Sequence, residues 1–361
     1  MELESPQREI YGKEQHNALK AQRLAQEIAF GPVVFQVSRL MIKFGILQML
    51  DDHKDGLTMD EIARKAGLSH YGAQVLLEAS LTIGTILLKD GKFLLAKAGW
   101  FLLNDKMARV NMDFNHDVNY LGLFHMEEAI LNGKPEGLKT LGTWPTIYEG
   151  LSSLPEPAKT SWFAFDHFYS DNSFEQALEI VFASHPRKIL DIGGNTGRWA
   201  TQCVRHDPNV KVTIMDLPQQ IGMMKQQTRG IEGADRIDGH CGNLLDRNTA
   251  IPQGYDAIWM SQFLDCFSEE EATSILSRAA KAMSKNSKLF IMETFWDRQQ
   301  FETASYCLAQ ISLYFTVMAN GNSKMYYSGD LIRCIEQAGL KVLKIHDNLG
   351  LGHSIVEVGI D

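Results

Sequence analysis

Residues 188–200, KILDIGGNTGRWA, constrain the fold of this chain more than any other stretch. An apolar run ends in Asp191, and Gly193, Gly194 and Gly197 then carry the chain over into a helical pattern. This reads as a buried strand that turns tightly into a helix, with glycines that let the backbone approach a ligand free of side chains. The order G-G-N-T-G is not the G-x-G-x-x-G that seats a dinucleotide pyrophosphate on a helix amino terminus. Downstream, VTIMD, YDAIWM and KLFIMET are short apolar runs separated by helix-length segments, which predicts a parallel, doubly wound α/β sheet. The chain closes on LKVLKIHDNLGLGHSIVEVGI, two strands joined by a glycine turn, so a terminal antiparallel hairpin is expected. Asp216 ends VTIMD. An acid there either accepts both hydroxyls of a ribose or caps a helix that starts near Pro218.

The 361 residues suit two domains, each with its own core. Residues 33–53 space apolar side chains as one amphipathic helix. Thr58 and Glu61 form a capping box, Gly67 closes that helix, and Ser69 is placed to cap a second one running to about Leu88. Asp90-Gly91 between apolar runs signals a hairpin. Helix, turn, helix and hairpin make a winged-helix-like pattern over residues 1–105, followed by a helical, aromatic-rich region (106–185) and the α/β domain (186–361). A DNA-reading helix needs Arg or Lys for phosphates and base edges. Residues 69–88 contain neither and carry Glu78, and the formal net charge is −9, so a nucleic-acid partner is not expected. Packing against a second copy of the chain is expected instead. Gln36, Arg39 and Lys43 interrupt the 33–50 stretch, which argues against a membrane span, and the polar first twenty residues show no signal peptide. Five cysteines without a C-x-x-C pair argue against a disulfide framework or a zinc site and fit a reducing, cytoplasmic compartment.

The winged-helix start, LDIGGNTG, MDLPQQI and EQAGL together resemble the small-molecule O-methyltransferases related to the caffeic acid and hydroxyindole enzymes, over about residues 30–361. The resemblance implies a class I S-adenosyl-L-methionine (SAM) methyltransferase fold, Rossmann-like with the terminal hairpin, and a homodimer with interlocked amino-terminal domains. It implies conversion of SAM to S-adenosyl-L-homocysteine (SAH) without a metal, and methylation of a hydroxyl on an aromatic or polyketide-like small molecule. Carried over by position, Gly193 lies beside the methionine part of SAM, Asp216 and Leu217 on the ribose side, and Asn243 and Leu244 on the adenine side. Asp191, Gly194 and Gly197 complete the cofactor set. The family usually has Asp where Asn243 stands and a third consecutive glycine where Asn195 stands. Asn tolerates left-handed backbone angles, and the Asn243 carbonyl oxygen can still accept from the adenine amino group.

The family's general base is a His in an H-D-W-S-D-E segment. The matching stretch, FLDCFSEEEA, puts Asp265 at the His, Cys266 at the Asp and Phe267 at the Trp. Glu293 in IMETF matches a supporting carboxylate, whereas Met325 in SKMYY replaces the second one. Methyl transfer is an in-line displacement served by positioning, and a base helps most when the acceptor is weakly acidic. A phenol near pKa 10 and a carboxylate near 4 differ by about six units, a gap that burial of Asp265 beside Glu293 narrows. Alternatively, Asp265 only caps the helix starting near Ser268. Three functions follow. The first is a methyltransferase whose acceptor is acidic enough to need little help, or whose base is the Asp265–Glu293 pair. The second is a non-methylating SAM-binding member of the fold. The third is a winged-helix regulator with a degenerate enzyme domain, against which the bare second helix speaks.

Overall fold

A computed structural model describes residue 3 and residues 7–360; the remaining amino-terminal residues of the expected 1–105 domain, and Asp361, lie outside the described residues. The chain forms two compact units, Lys13–Asp117 and Val118–Asp361, the latter joined by the segment ending at Gly12.

In the first unit the apolar pattern of residues 33–53 is two helices, not one. Gly45 takes φ +71° and separates α1 (Gly31–Lys43) from α2 (Ile46–Asp52), which bends away by 58°. No single helix among the described residues is long and apolar enough to cross a membrane; the bent pair passes by length and composition, and it buries Met41, Ile46, Leu47 and Leu50 in the core of this unit. The capping box opens α3 (Met59–Ala66). The Thr58 N–H donates to Glu61 Oε2 at 2.8 Å and the Glu61 N–H to Thr58 Oγ1 at 3.4 Å. Ser69 Oγ accepts the Gly72 N–H at 3.0 Å and starts α4 (His70–Ile83). That helix stops at Ile83, short of the expected Leu88, because Gly84 turns left-handed at φ +91°. Ile86–Lys89 is strand β1, paired antiparallel with β2 (Lys92–Leu95). Asp90 and Gly91 both take positive φ, as a tight two-residue hairpin requires.

The second unit is built on seven strands: β3 (Lys188–Ile192), β4 (Lys211–Asp216), β5 (Ile237–Cys241), β6 (Ala257–Ser261), β7 (Lys288–Glu293), β8 (Lys341–Leu349) and β9 (His353–Gly359). Their order is β5-β4-β3-β6-β7-β9-β8, parallel except for β9, which runs antiparallel to both β7 and β8. Alternate side chains enter different cores, as the pleat dictates. Leu190, Ile192, Met260 and Ile291 pack on α9 (Glu269–Ala282) and α10 (Ser328–Gln337) through Ile275, Leu276, Leu331 and Ile335. Ile189, Ile214, Trp259 and Phe290 face the other way, toward α6 (Phe174–Phe182), α7 (Arg198–His206) and α8 (Pro218–Gln227). There Trp199 stacks on Trp259 with ring centroids 4.3 Å apart. Fully burying one such side chain is worth about 1.5–3 kcal/mol, so the sheet is a rigid base for what its edge carries. From β3 the chain winds outward through β4 and β5, then returns to β6 on the other side of β3. This switch in direction opens a crevice at the carboxyl ends of the strands, where α/β sheets bind ligands.

Candidate active site

The crevice is a cavity of about 400 Å³. At one end the glycine turn leaves β3. Gly193 takes φ +76° and Asn195 φ +47°, and the Gly193 N–H donates to the Met215 carbonyl at 2.9 Å, which holds the turn against β4. Asp216 ties the same parts together: Oδ2 accepts the Asn195 N–H at 2.9 Å and Oδ1 the Leu217 N–H at 2.7 Å. Leu217, not Asp216, is the cap residue of α8, so the helix-cap alternative for Asp216 is not realised. Each carboxylate oxygen keeps acceptor capacity for a hydroxyl. Burial raises the Asp216 pKa, opposed by the N–H bonds from Leu217 and Asn195. Asp191 is buried, and its Oδ2 has no hydrogen-bond partner; burial, with Asp216 adding, pushes it up to about 8. Asn195 Oδ1 is likewise buried and unpartnered.

Asp191, Gly193, Gly194, Asp216, Leu217, Asn243 and Leu244 all line this cavity. Gly197 does not; at φ +83° it is set back as the cap residue of α7. Asn243 Oδ1 already accepts the Leu245 N–H at 3.0 Å, so its first task is to fold its own turn. Buried acceptors without donors, beside a carboxylate at the end of β4, fit a nucleoside that carries hydroxyl and ammonium donors. SAM is such a molecule. No group of three or more His, Cys, Asp or Glu side chains among the described residues is arranged to hold a metal ion.

At the other end stands Asp265, on a short turn after β6 (Leu264–Cys266), 3% exposed and lining the cavity. It does not cap α9. Ser268 does so with its own capping box, donating its N–H to Glu271 Oε2 at 2.9 Å and accepting the Glu271 N–H at 3.3 Å. The Cys266 thiol lies 3.5 Å from Asp265 Oδ1. Burial pushes Asp265 up to about 7; the Cys266 thiol opposes the shift and Asp166 adds to it. Glu293, the last residue of β7, sits behind the cavity wall. Its Oε1 accepts the Phe263 and Leu264 N–H groups at 3.1 and 2.9 Å, and its buried Oε2 has no partner. Burial first and Asp265 second hold it well above the usual carboxylate range. Met325 lines the cavity with an uncharged thioether, 3.3 Å from Thr294 Oγ1.

Helix α5 (Ala158–Ser170) supplies another wall. Of the aromatic residues at 144–169 in the region 106–185, Tyr148, Trp162 and Phe165 reach the cavity, and Trp144, Phe163, Phe168 and Tyr169 do not. The Trp162 Nε1–H donates to Tyr314 Oη at 2.7 Å, which fixes both rings. Sequence reasoning passed over Asp166 and His167, which also line the cavity from α5. The available signal was a polar pair set inside the aromatic run FAFDHFY.

A Dimerisation2-like domain model matches residues 22–93 and an O-methyltransferase domain model residues 165–339. Among curated relatives, the L-tyrosine C(3)-methyltransferase of Streptomyces lavendulae is 22% identical over 74% of this chain and 73% of its own length. The demethylspheroidene O-methyltransferase of Cereibacter sphaeroides is 24% identical over 90% of this chain and 83% of its own. The solved structure of the SAM-dependent methyltransferase SibL superposes with a TM-score of 0.70 at 20% identity, covering 92% of this chain and 98% of that one, which shows the shared fold.

Proposed function

We propose, from the chain's place in the small-molecule O-methyltransferase family, that it transfers a methyl group from SAM to a hydroxyl of a small aromatic acceptor. One observation carries this reading. A single cavity joins unpartnered nucleoside-type acceptors under a glycine turn to a buried carboxylate inside aromatic walls. When bound, SAM supplies a methyl group activated by its sulfonium. In this reading Asp216 accepts the ribose hydroxyls, Asp191 and Asn195 take the remaining donors, and the Leu244 side chain faces the adenine.

Asp265 is the base. With its pKa near 7, the mismatch with a phenol near 10 narrows to about three units, within reach of a positioned general base. Glu293 is a positioning residue, holding the turn that presents Asp265 by two backbone N–H bonds. The relatives' names describe methylation of small molecules, one of them on carbon. The Dimerisation2-like domain supports a homodimer. The lack of Arg and Lys on α4 supports a packing role for that unit over DNA binding. The cysteines, all free thiols, suit a reducing, cytoplasmic setting.

Mass spectrometry of the purified protein should find SAM or SAH carried along. Methyl-labelled SAM should then pass its label to members of a panel of phenols, carboxylic acids and thiols, with O- and C-methylated products resolved. A protein that binds neither SAM nor SAH sinks the reading. One that binds SAM and methylates nothing is the non-methylating member of the fold.

A further inference from the structure

Resting on that methyltransferase reading, we infer that the acceptor carries a positively charged nitrogen and that Asp166, on α5, is the side chain that receives it.

Asp166, Asp191, Asp216 and Asp265 line the cavity together with Glu149, which is exposed, against Arg198 and His167 as the basic side chains. Arg198 is spent in an ion pair with Asp171. His167 is 3.6 Å from Asp166, but burial, with Arg198 adding, holds its pKa below the ordinary value, so at neutral pH the ring brings no charge. In the proposed cofactor mode the acids at that end are already engaged, Asp216 by the ribose hydroxyls and Asp191 by the remaining donors of SAM. That leaves Asp166 and Asp265, the less exposed acids of the other end, without a partner of opposite charge among the described residues. Asp265, 3% exposed, is offered the weak Cys266 thiol and its own backbone N–H among the described residues. Asp166 keeps 31% of its side chain open.

The walls at this end make the same selection by different physics. Tyr148, Trp162, Phe165 and Tyr314 present rings there, and ring faces attract an ammonium by their quadrupole. An acceptor bearing a carboxylate would meet like charge on desolvated acids, whereas an acceptor bearing an ammonium meets a carboxylate and aromatic faces together. Asp166 and Asp265 come from different elements, α5 and the turn after β6. One molecule can therefore offer its nitrogen to the first and its hydroxyl to the second. Burial pushes Asp166 up to about 7, with Asp171 adding and Arg198 opposing. An incoming cation reverses that shift, and binding near neutral pH should expel a proton.

The test is calorimetry on the full chain loaded with SAH, using three probes of one frame: tyramine (cationic), para-ethylphenol (neutral) and para-hydroxyphenylpropanoate (anionic). Tyramine should bind about tenfold to a hundredfold more tightly than para-ethylphenol, the worth of one hydrogen bond to a charged group, and the propanoate least well. Asp166→Asn should bring tyramine down to the level of para-ethylphenol without changing the latter, which also shows that the variant is folded. Asp166→Glu should restore the preference. Equal binding of tyramine and para-ethylphenol by wild type, a preference for the propanoate, or an equal loss of both phenols in Asp166→Asn overturns the inference. If wild type takes up no SAH, the methyltransferase reading fails instead, and the same titrations into SAH-free protein still decide the charge of the ligand.

Discussion

Asp191, one residue before the end of β3, and Asp216, the last of β4, carry the same functional group, and their surroundings give them different work. Asp216 is tied by two backbone N–H groups that fix its carboxylate under the glycine turn. Asp191 has an oxygen with no donor and a pKa near 8. Asp216→Ala should therefore remove the ribose anchor and weaken SAH binding by roughly a hundredfold in calorimetry, the worth of one or two hydrogen bonds to a charged group; unchanged affinity would sink the assignment. Gly193→Val is a poorer probe of cofactor binding than its place in the cavity lining suggests. Gly193 sits at positive φ, and an added Cβ runs into the Phe263 ring, so the variant would lose stability as well as binding. Asp265 makes the sharper claim. As a base it must be deprotonated, so activity should rise with pH through about 7. Asp265→Asn should cut turnover by about 10²–10⁴-fold and flatten the profile while SAH affinity holds. Wild-type turnover in Asp265→Asn would remove it as the base.

At the scale of elements, features written in adjacent residues were legible. The Thr58–Glu61 box, the Ser69 cap, the Asp90-Gly91 hairpin and the strand–glycine–helix turn at 188–200 stand where their chemistry put them. Where two structures share a pattern, the sequence did not choose. Residues 86–88 are apolar and suit the end of a helix as well as a strand, and the left-handed Gly84 decides for strand. Gly45 likewise divides a stretch whose periodicity runs straight through it. Asp166 was illegible because its role depends on α5 lying beside strand ends distant in sequence. The buried environment of His353 on β9 is of the same kind. Its Nδ1 lies 2.8 Å from Ser173 Oγ, Nε2 has no partner, and burial pushes its pKa down to about 4. The unfolded imidazole titrates near 6.5, so as pH falls from about 6.5 to about 4 the unfolded chain takes a proton that the fold refuses, and stability is lost. The raised carboxyls Asp166, Asp191 and Asp265 act in the opposite sense, gaining stability as they protonate. They are common to wild type and His353→Gln. Thermal midpoints of the two across this range should therefore isolate the histidine, wild type losing up to roughly 3 kcal/mol more than the variant. Parallel curves would show that His353 protonates in the fold.

At the scale of the whole molecule, the amino-terminal unit carries apolar side chains that the chain itself leaves exposed. The helix Ala18–Ala29 buries none of its side chains within the chain. Leu19 is 77% exposed, Ile28 70%, Phe30 59%, Val33 55% and Tyr71 74%. A helix of this length is marginal in water without tertiary packing, and apolar side chains gathered this way on one unit mark an interaction surface. The Dimerisation2-like match covers residues 22–93, which takes in most of them and makes a second copy of the chain the expected cover. Light scattering at micromolar concentration should give twice the 40.6 kDa chain mass. The thermal midpoint should rise with protein concentration, since dissociation is linked to unfolding. Ile28→Glu with Phe30→Glu puts two charges where apolar surface should be buried. It should yield the single-chain mass and a midpoint that no longer depends on concentration. A wild-type monomer under the same conditions would refute the dimer, and would leave the exposed face of Ala18–Ala29 to a different partner.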